Sequence, residues 1–187
     1  MEAFFQTIAQ FLQLSAEGKN ALSFILRKEE YPKGHLLLKP NSICRRIYFI
    51  EQGLTRTFYF KDDKDVTDWL SAENTFAGSM ISSLTQTPDV RGIELLEASV
   101  LWSFSYEDLE KLYQRYHEIE RLGRLLTNHA YILVQQRFDD LLFSTAAERY
   151  QKLLRHNPSL LQCAPLGMIA SYLGITQETL SRVRAQH

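Results

Sequence analysis

An α+β protein is predicted, with an N-terminal β-roll of jelly-roll type flanked by helices, one long helix, and a small helical unit at the C-terminus. Three observations carry this expectation. Between Tyr31 and Trp102, short β-rich runs alternate with turn signals. From His117 to Phe143 an apolar helical pattern runs without a break, and from Leu166 to Arg184 two short helical patterns meet at Gly174. Several short strands at close spacing argue for an antiparallel sandwich or barrel, and the change of period marks where helix takes over.

Taken in order, residues 2–13 and 17–28 read as helices, the second opening at Ser15 with Glu17 early in it. The runs HLLLK (35–39), RRIYFIEQ (45–52), LTRTFYF (54–60), DVTDWLS (65–71) and ASVLWSFS (98–105) read as strands. Pro32-Lys33-Gly34, Pro40-Asn41-Ser42, Gly53 and Lys61-Asp62-Asp63-Lys64 punctuate them. Residues 106–115 form a helix with Glu107 and Asp108 in its first turn. The helix 117–143 is about 40 Å long at 1.5 Å per residue. Residues 145–156 form another, ended by Asn157-Pro158, and an extended piece, 160–164, leads to Pro165. The domain division expected is 1–144 and 145–187.

On the long helix, Ile119, Leu122, Leu126 and Leu133 fall on one stripe, widened by Leu125, Ile132, Phe138, Leu141 and Leu142. One β-domain does not cover so long and broad an apolar surface, whereas the same helix of a second chain does. A homodimer through about 117–143 is the expectation.

The last segment is a helix-turn-helix signature. Gly174 supplies the positive φ that ends one helix, Thr176 can cap the next, and Glu178 suits its first turn. In such a motif the second helix offers its N-terminal polar residues to base edges in the major groove. Here those are Thr176, Gln177, Glu178, Thr179, Ser181 and Arg182, with Arg184 near the helix end. Gln can pair with adenine, Glu can accept from cytosine, and Arg can grip guanine with two donors. Leu180 and Val183 face the domain. Residues 145–187 hold 5 basic and 2 acidic residues, whereas 1–144 hold 16 and 20, so phosphate contact is favoured at one end of a chain of net charge −1.

Other classes find little footing. There is no P-loop, no GxGxxG after a strand, no HExxH and no GxSxG, so an enzyme is not expected. No run of 18 apolar residues exists to span a membrane, and Cys44 and Cys163 are too few for a disulfide framework or a metal cluster. A cytoplasmic protein without a metal is expected, and no cofactor is identified.

A roll, a long helix and a C-terminal helix-turn-helix in this order resemble the Crp/Fnr family of bacterial transcription regulators. The resemblance covers nearly the whole chain and is carried above all by YPKGHLLLKPNSICRRIYFIEQGLTRTF and SYLGITQETLSRVR. It implies a cyclic-nucleotide-binding-like sensor domain, double-stranded DNA and a second copy as partners, and RNA polymerase as a further one. Glu178 and Arg182 match two base-contacting positions of the family, while Gln177 stands where Arg is common. Nucleotide-binding members carry a Gly-Glu pair for the ribose and an Arg for the cyclic phosphate. In TFAGSMISSLTQTPDVRGIEL, Gly78 survives, Ser79 replaces the Glu, and Arg91, beside Gly92, can serve as the Arg only across a small insertion. A serine cannot supply a charged clasp with two acceptors. Cyclic AMP is therefore not expected as effector, and a different small anion beside Arg91 stays open. The competing reading keeps the dimeric ligand-sensing module but turns the C-terminal helices toward a protein partner. Against it stands a polar recognition face without aromatic or aliphatic anchors.

Overall fold

The computed structural model describes residues 1–156 and 160–185. Helices α1 (Glu2–Ala9) and α2 (Ala16–Ile25) precede strands β1 (Arg27–Tyr31), β2 (Leu36–Leu38), β3 (Arg46–Gln52), β4 (Thr55–Lys61), β5 (Lys64–Ser71) and β6 (Phe76–Ala77). Helix α3 (Met80–Thr85), strands β7 (Gly92–Leu95) and β8 (Ser99–Ser105), and helices α4 (Tyr106–Tyr113) and α5 (His117–Phe143) follow. The chain continues with α6 (Ala146–His156), α7 (Leu160–Cys163), α8 (Leu166–Tyr172) and α9 (Gln177–Ala185).

Two four-stranded antiparallel sheets, in the orders β1-β8-β3-β6 and β2-β7-β4-β5, face each other as a roll. The register sets which side chains point where. Phe49 pairs with Trp102 and Ile50 with Leu101, and successive residues of a strand face opposite sides. Ile50, Leu95 and Leu101 fill the space between the sheets with Tyr48 and Ala77. Phe49, Trp102 and Phe104 look outward onto α1, α2, α4 and the first turns of α5. Phe4 sits at the centre of that layer, with edge-to-face contacts to Phe5, Phe49 and Phe76 at 5.3–6.1 Å.

Four departures from the sequence reading have physical reasons. The second helix stops at Ile25, because the edge of β8 takes Arg27–Tyr31 as a five-residue partner strand despite its polar sequence. Residues 80–85 and 92–95, to which the sequence reading gave no element, form α3 and β7. Ser79 caps α3 by accepting the Ser82 amide, and β7 fills the gap between β2 and β4. Residues 160–163 are helical rather than extended, since Leu160 is drawn into the C-terminal core. The helix stop assigned to Asn157-Pro158 lies outside the described residues.

Gly53, at the β3–β4 turn, has φ +119°, and a Cβ there would lie 2.1 Å from Ser99 Oγ and 3.1 Å from Ser99 Cα. Gly53→Ala is therefore expected to cost on the order of 2 kcal/mol from backbone strain and collision together. A lowered urea midpoint at unchanged slope would show it.

The C-terminal helices do not stand apart. Tyr150, Leu153, Ile169, Leu173, Leu180 and Val183 share one apolar cluster with Leu54, Leu70 and Leu96 of the roll. Strand β5 is the edge of its sheet, and the Thr67 amide that would otherwise face solvent donates to Ser171 Oγ of α8 at 2.8 Å. Covering an exposed edge with a helix removes a pairing template. Two arginines complete the seam. Arg137 of α5 lies over the Tyr172 ring at 4.0 Å, within 5.9 Å of the Trp69 ring, and donates to Tyr172 O at 2.7 Å. Arg149 of α6 donates to Leu173 O at 2.8 Å and to the carbonyls of Asp140 and Ser144. Cations at the unsatisfied carbonyl ends of α8 and α5 are favoured by both hydrogen bonding and the helix dipole.

Candidate nucleic-acid interface and effector site

The turn between α8 and α9 follows from its residues. Gly174 has φ +66°, its amide donates to Ser171 O, and the Ile175 amide donates to Ala170 O. These two bonds are a Schellman ending, which needs the left-handed residue that glycine supplies. Thr176 then accepts the Thr179 amide at 3.2 Å and so caps α9. The Thr176 hydroxyl beside Glu178 holds that carboxyl below its ordinary range.

Burial on α9 splits cleanly by face. Leu180 is fully buried and Val183 nearly so, against Ile169, Ala170 and Leu173. Thr176, Gln177, Glu178, Ser181, Arg182 and Arg184 are exposed, and Thr179 is half-buried. Positions 178, 181 and 182 are helical neighbours. Arg182 Nη2 reaches Thr179 Oγ1 at 3.3 Å, which leaves most of its forked donors outward. Gln177 folds its amide over Gly167, where an added Cβ would lie 2.5 Å away. The glycine thus makes room for Gln177 at the junction of the two helices.

The second region lies in the roll. Ser79 does more than cap α3, because its hydroxyl also binds the buried Asp89 carboxylate. Asp89 accepts further from the Arg91 amide at 3.0 Å and from Arg91 Nη1 at 3.3 Å. Arg91 Nε reaches across to Asp68 of β5 at 2.7 Å. Burial pushes the Asp89 carboxyl up, but the Ser79 hydroxyl and the Arg91 amide and guanidinium outweigh it and hold the carboxyl low. Burial likewise works against the Arg91 charge, and the two carboxylates more than offset it. Cys44 closes the back of α3. Its amide donates to Ser82 Oγ at 2.9 Å, its carbonyl accepts from Ser83 Oγ, and its sulfur accepts from the Ser79 amide at 3.3 Å.

Of the four residues the sequence put here, the structure brings Ser79 and Arg91 onto one carboxylate. Gly78 abuts β3 with ordinary contacts, and Gly92 serves packing, since a Cβ would meet the Phe58 ring at 2.8 Å. Asp68 and Asp89 escaped the sequence reading. Asp89, two residues before Arg91, was legible in principle, but Asp68 reaches the site only through the β4–β5 and β4–β7 pairing.

A cyclic nucleotide needs an acceptor clasp for its ribose and an unencumbered cation for its phosphate. Ser79 supplies no charge, and the guanidinium of Arg91 is already held between two carboxylates that would repel a phosphate. The residues present do not fit that ligand. The Asp89 contribution to stability has a definite pH sense. Its folded pKa lies below the unfolded value of 3.8, so the stabilisation is complete above about 3.8 and is lost as pH falls through the folded value. The stability gap between wild type and Asp89→Asn is therefore expected to be wide at pH 7 and to close below about pH 3.8, as read from urea transitions across that range.

On α5 the uncovered apolar surface differs from the stripe read from sequence. Ile119 and Leu122 are buried in the chain's own N-terminal core, and Leu126 packs partly against it, because α1, α2 and α4 cover the first half of the helix. Leu133 is exposed. The uncovered apolar side is the second half, where Tyr131, Val134, Phe138 and Leu141 follow at spacings of three, four and three residues. That is the period of a coiled-coil seam. Among the described residues, no helix is long and apolar enough to cross a membrane.

Comparison with known proteins agrees with this architecture. The cyclic nucleotide-binding domain family matches residues 28–116. No curated protein sequence matches the chain. Among solved structures, FixK2 from Bradyrhizobium japonicum superposes with a TM-score of 0.72 at 18% identity, over 87% of this chain and 84% of that one. A putative Crp/Fnr-family transcriptional regulator from Eubacterium rectale gives 0.69 at 16% identity, over 92% and 83%. The c-di-GMP responsive global regulator CLP of Xanthomonas campestris gives 0.68 at 17% identity, over 92% and 91%. Residues 28–116 of this chain match the cyclic nucleotide-binding domain family, and the chain as a whole has the fold of these solved Crp/Fnr-type regulators.

Proposed function

We propose that the protein is a sequence-specific, double-stranded DNA-binding transcription regulator of the Crp/Fnr type, working as a homodimer and not controlled by cyclic AMP. The observation that carries the reading is α9: a capped helix whose apolar side is sealed in its own domain and whose outer face is wholly polar. A face of Glu, Ser, Thr, Gln and Arg offers the donors and acceptors that base edges require. The exposed seam on the second half of α5 supplies the two-fold partner that a pair of half-sites needs, about 34–36 Å apart.

In this reading Arg182 takes guanine, with Glu178 one turn away orienting the guanidinium or accepting from cytosine. Arg184 meets the phosphate backbone. Arg182→Ala is expected to cost about 1–3 kcal/mol at the best site and to relax preference at one base pair per half-site. Arg184→Ala is expected to weaken all sequences alike and to flatten the salt dependence. Selection from a random duplex pool, followed by binding of both variants to single-base mutants of the selected site, tests this. Equal weakening of every sequence by Arg182→Ala would remove it from base readout, and absence of any selected sequence would sink the function.

A further inference from the structure

The misfit between the roll and a cyclic nucleotide has a specific form. The cation that would hold an anionic effector is present, and two carboxylates of the same chain take two of its five donors. Arg91 gives Nε to Asp68 and Nη1 to Asp89, and Asp89 is itself fixed by the Ser79 hydroxyl and the Arg91 amide. Asp89 is 5% exposed and anchored at both ends of its backbone, its amide donating to Ser42 O and its carbonyl accepting from Asn41. The holder is therefore a built part of the roll rather than a loose surface pair.

The other holder, Asp68, lies on the strand that carries the C-terminal domain. One residue before it, the Thr67 amide binds Ser171 of α8. One residue after it, Trp69 meets Arg137, whose guanidinium also covers Tyr172. Two residues after it, Leu70 enters the apolar cluster of α6, α8 and α9. Asp68 is itself the extra residue of a register irregularity, since Thr57 pairs with Trp69 and Phe58 with Thr67. The extra residue of such a bulge is not fixed by the ladder, so its position depends on what its side chain binds.

We propose that the Asp68–Arg91–Asp89 triad is a built-in substitute for an anionic effector: it fills the anion site from within the chain and, by fixing residues 67–70 of β5, holds the helix-turn-helix in its docked position without any small molecule. Breaking the set on the Arg91 side is costly at Asp89, whose buried carboxylate is left without its cation. Removing Arg91 leaves Asp68 without its partner and the bulge without its anchor. The strand edge and α8 then loosen together. The proposal rests on the regulator reading only in taking residues 166–185 as the output domain, and its test involves no DNA.

The test is amide hydrogen exchange on the full chain. In Arg91→Gln, exchange at residues 67–70 and 166–173 is expected to rise about tenfold, while β8 keeps its protection. Asp68→Asn keeps Arg91 on Asp89 but removes one of the two negative charges that balance it; its side chain is part-exposed, so the fold tolerates it. A rise of about threefold is expected at the same segments, and 10 mM inorganic phosphate, as a probe anion for the under-compensated guanidinium, should reverse it. Wild type should show no response to phosphate or to cyclic AMP. If Arg91→Gln loses protection throughout, the Asp68→Asn arm decides. Unchanged exchange at 166–173 in both variants would overturn the link to the helix-turn-helix. Slowing of wild-type exchange there by phosphate or cyclic AMP would overturn the internal occupancy of the site.

Discussion

Val134→Glu combined with Phe138→Glu is expected to convert the protein from a dimer to a monomer of 21.8 kDa. Both side chains lie more than half exposed on the single chain, at 58% and 56%, so the substitutions leave the roll and the helix intact. In a paired seam they would place four carboxylates, two from each chain, in an apolar contact with no cation among the seam residues Tyr131, Val134, Phe138 and Leu141. Burying an unpaired charge costs several kcal/mol, and the pair of helices avoids that cost only by separating. The two substitutions should weaken the dimer by at least about a thousandfold, since each 1.4 kcal/mol is tenfold. Affinity for a two-half-site duplex should fall with it toward that of a half-site. Sedimentation equilibrium measures the first effect and filter binding the second. Wild type sedimenting at the mass of one chain would end the idea. Leu126→Glu tests less, because Leu126 already packs on the chain's own core.

Leu180→Ala is expected to cost about 2–5 kcal/mol in the C-terminal unit, the range for a buried leucine whose cavity cannot collapse. Leu180 is fully buried and lies in the cluster that joins α6, α8 and α9 to the roll. A small helical unit has little stability in reserve. The variant should therefore lose protection in residues 146–185 while the roll stays folded, and should bind all DNA sequences weakly. Arg182→Ala gives the opposite pattern, full stability with altered preference. A Leu180→Ala protein that keeps both its stability and its affinity would contradict the packing assigned to α9.

The order of the elements was readable because their signals are local. The long helix has the bounds that its periodicity indicated, His117–Phe143, and β3, β4, β5 and β8 fall within a residue of the apolar runs that marked them. Helix α9 announced itself through Gly174 and Thr176, whose backbone roles need no tertiary contact. What escaped was set by partners. Arg27–Tyr31 carries no strand pattern and becomes one because β8 has an edge to fill. Ile119 and Leu122 looked free for a second chain until α1, α2 and α4 came to cover them. The charge pairing around Arg91 was the least legible part, since Asp68 and Arg91 stand 23 residues apart and meet only through the register of β4, β5 and β7.

The chain holds two tryptophans, and the fold has separated their surroundings. Trp102 is buried beneath the N-terminal helices, against the sheet that faces away from the C-terminal unit. Trp69 sits on the strand that α8 covers, beside the guanidinium of Arg137. A stacked cation and a closed seam give an indole a different emission from the one it has in water. In a Trp102→Phe protein, fluorescence would come from Trp69 alone. The molecule thus carries its own optical gauge of the seam between the roll and the C-terminal helices, readable in milliseconds.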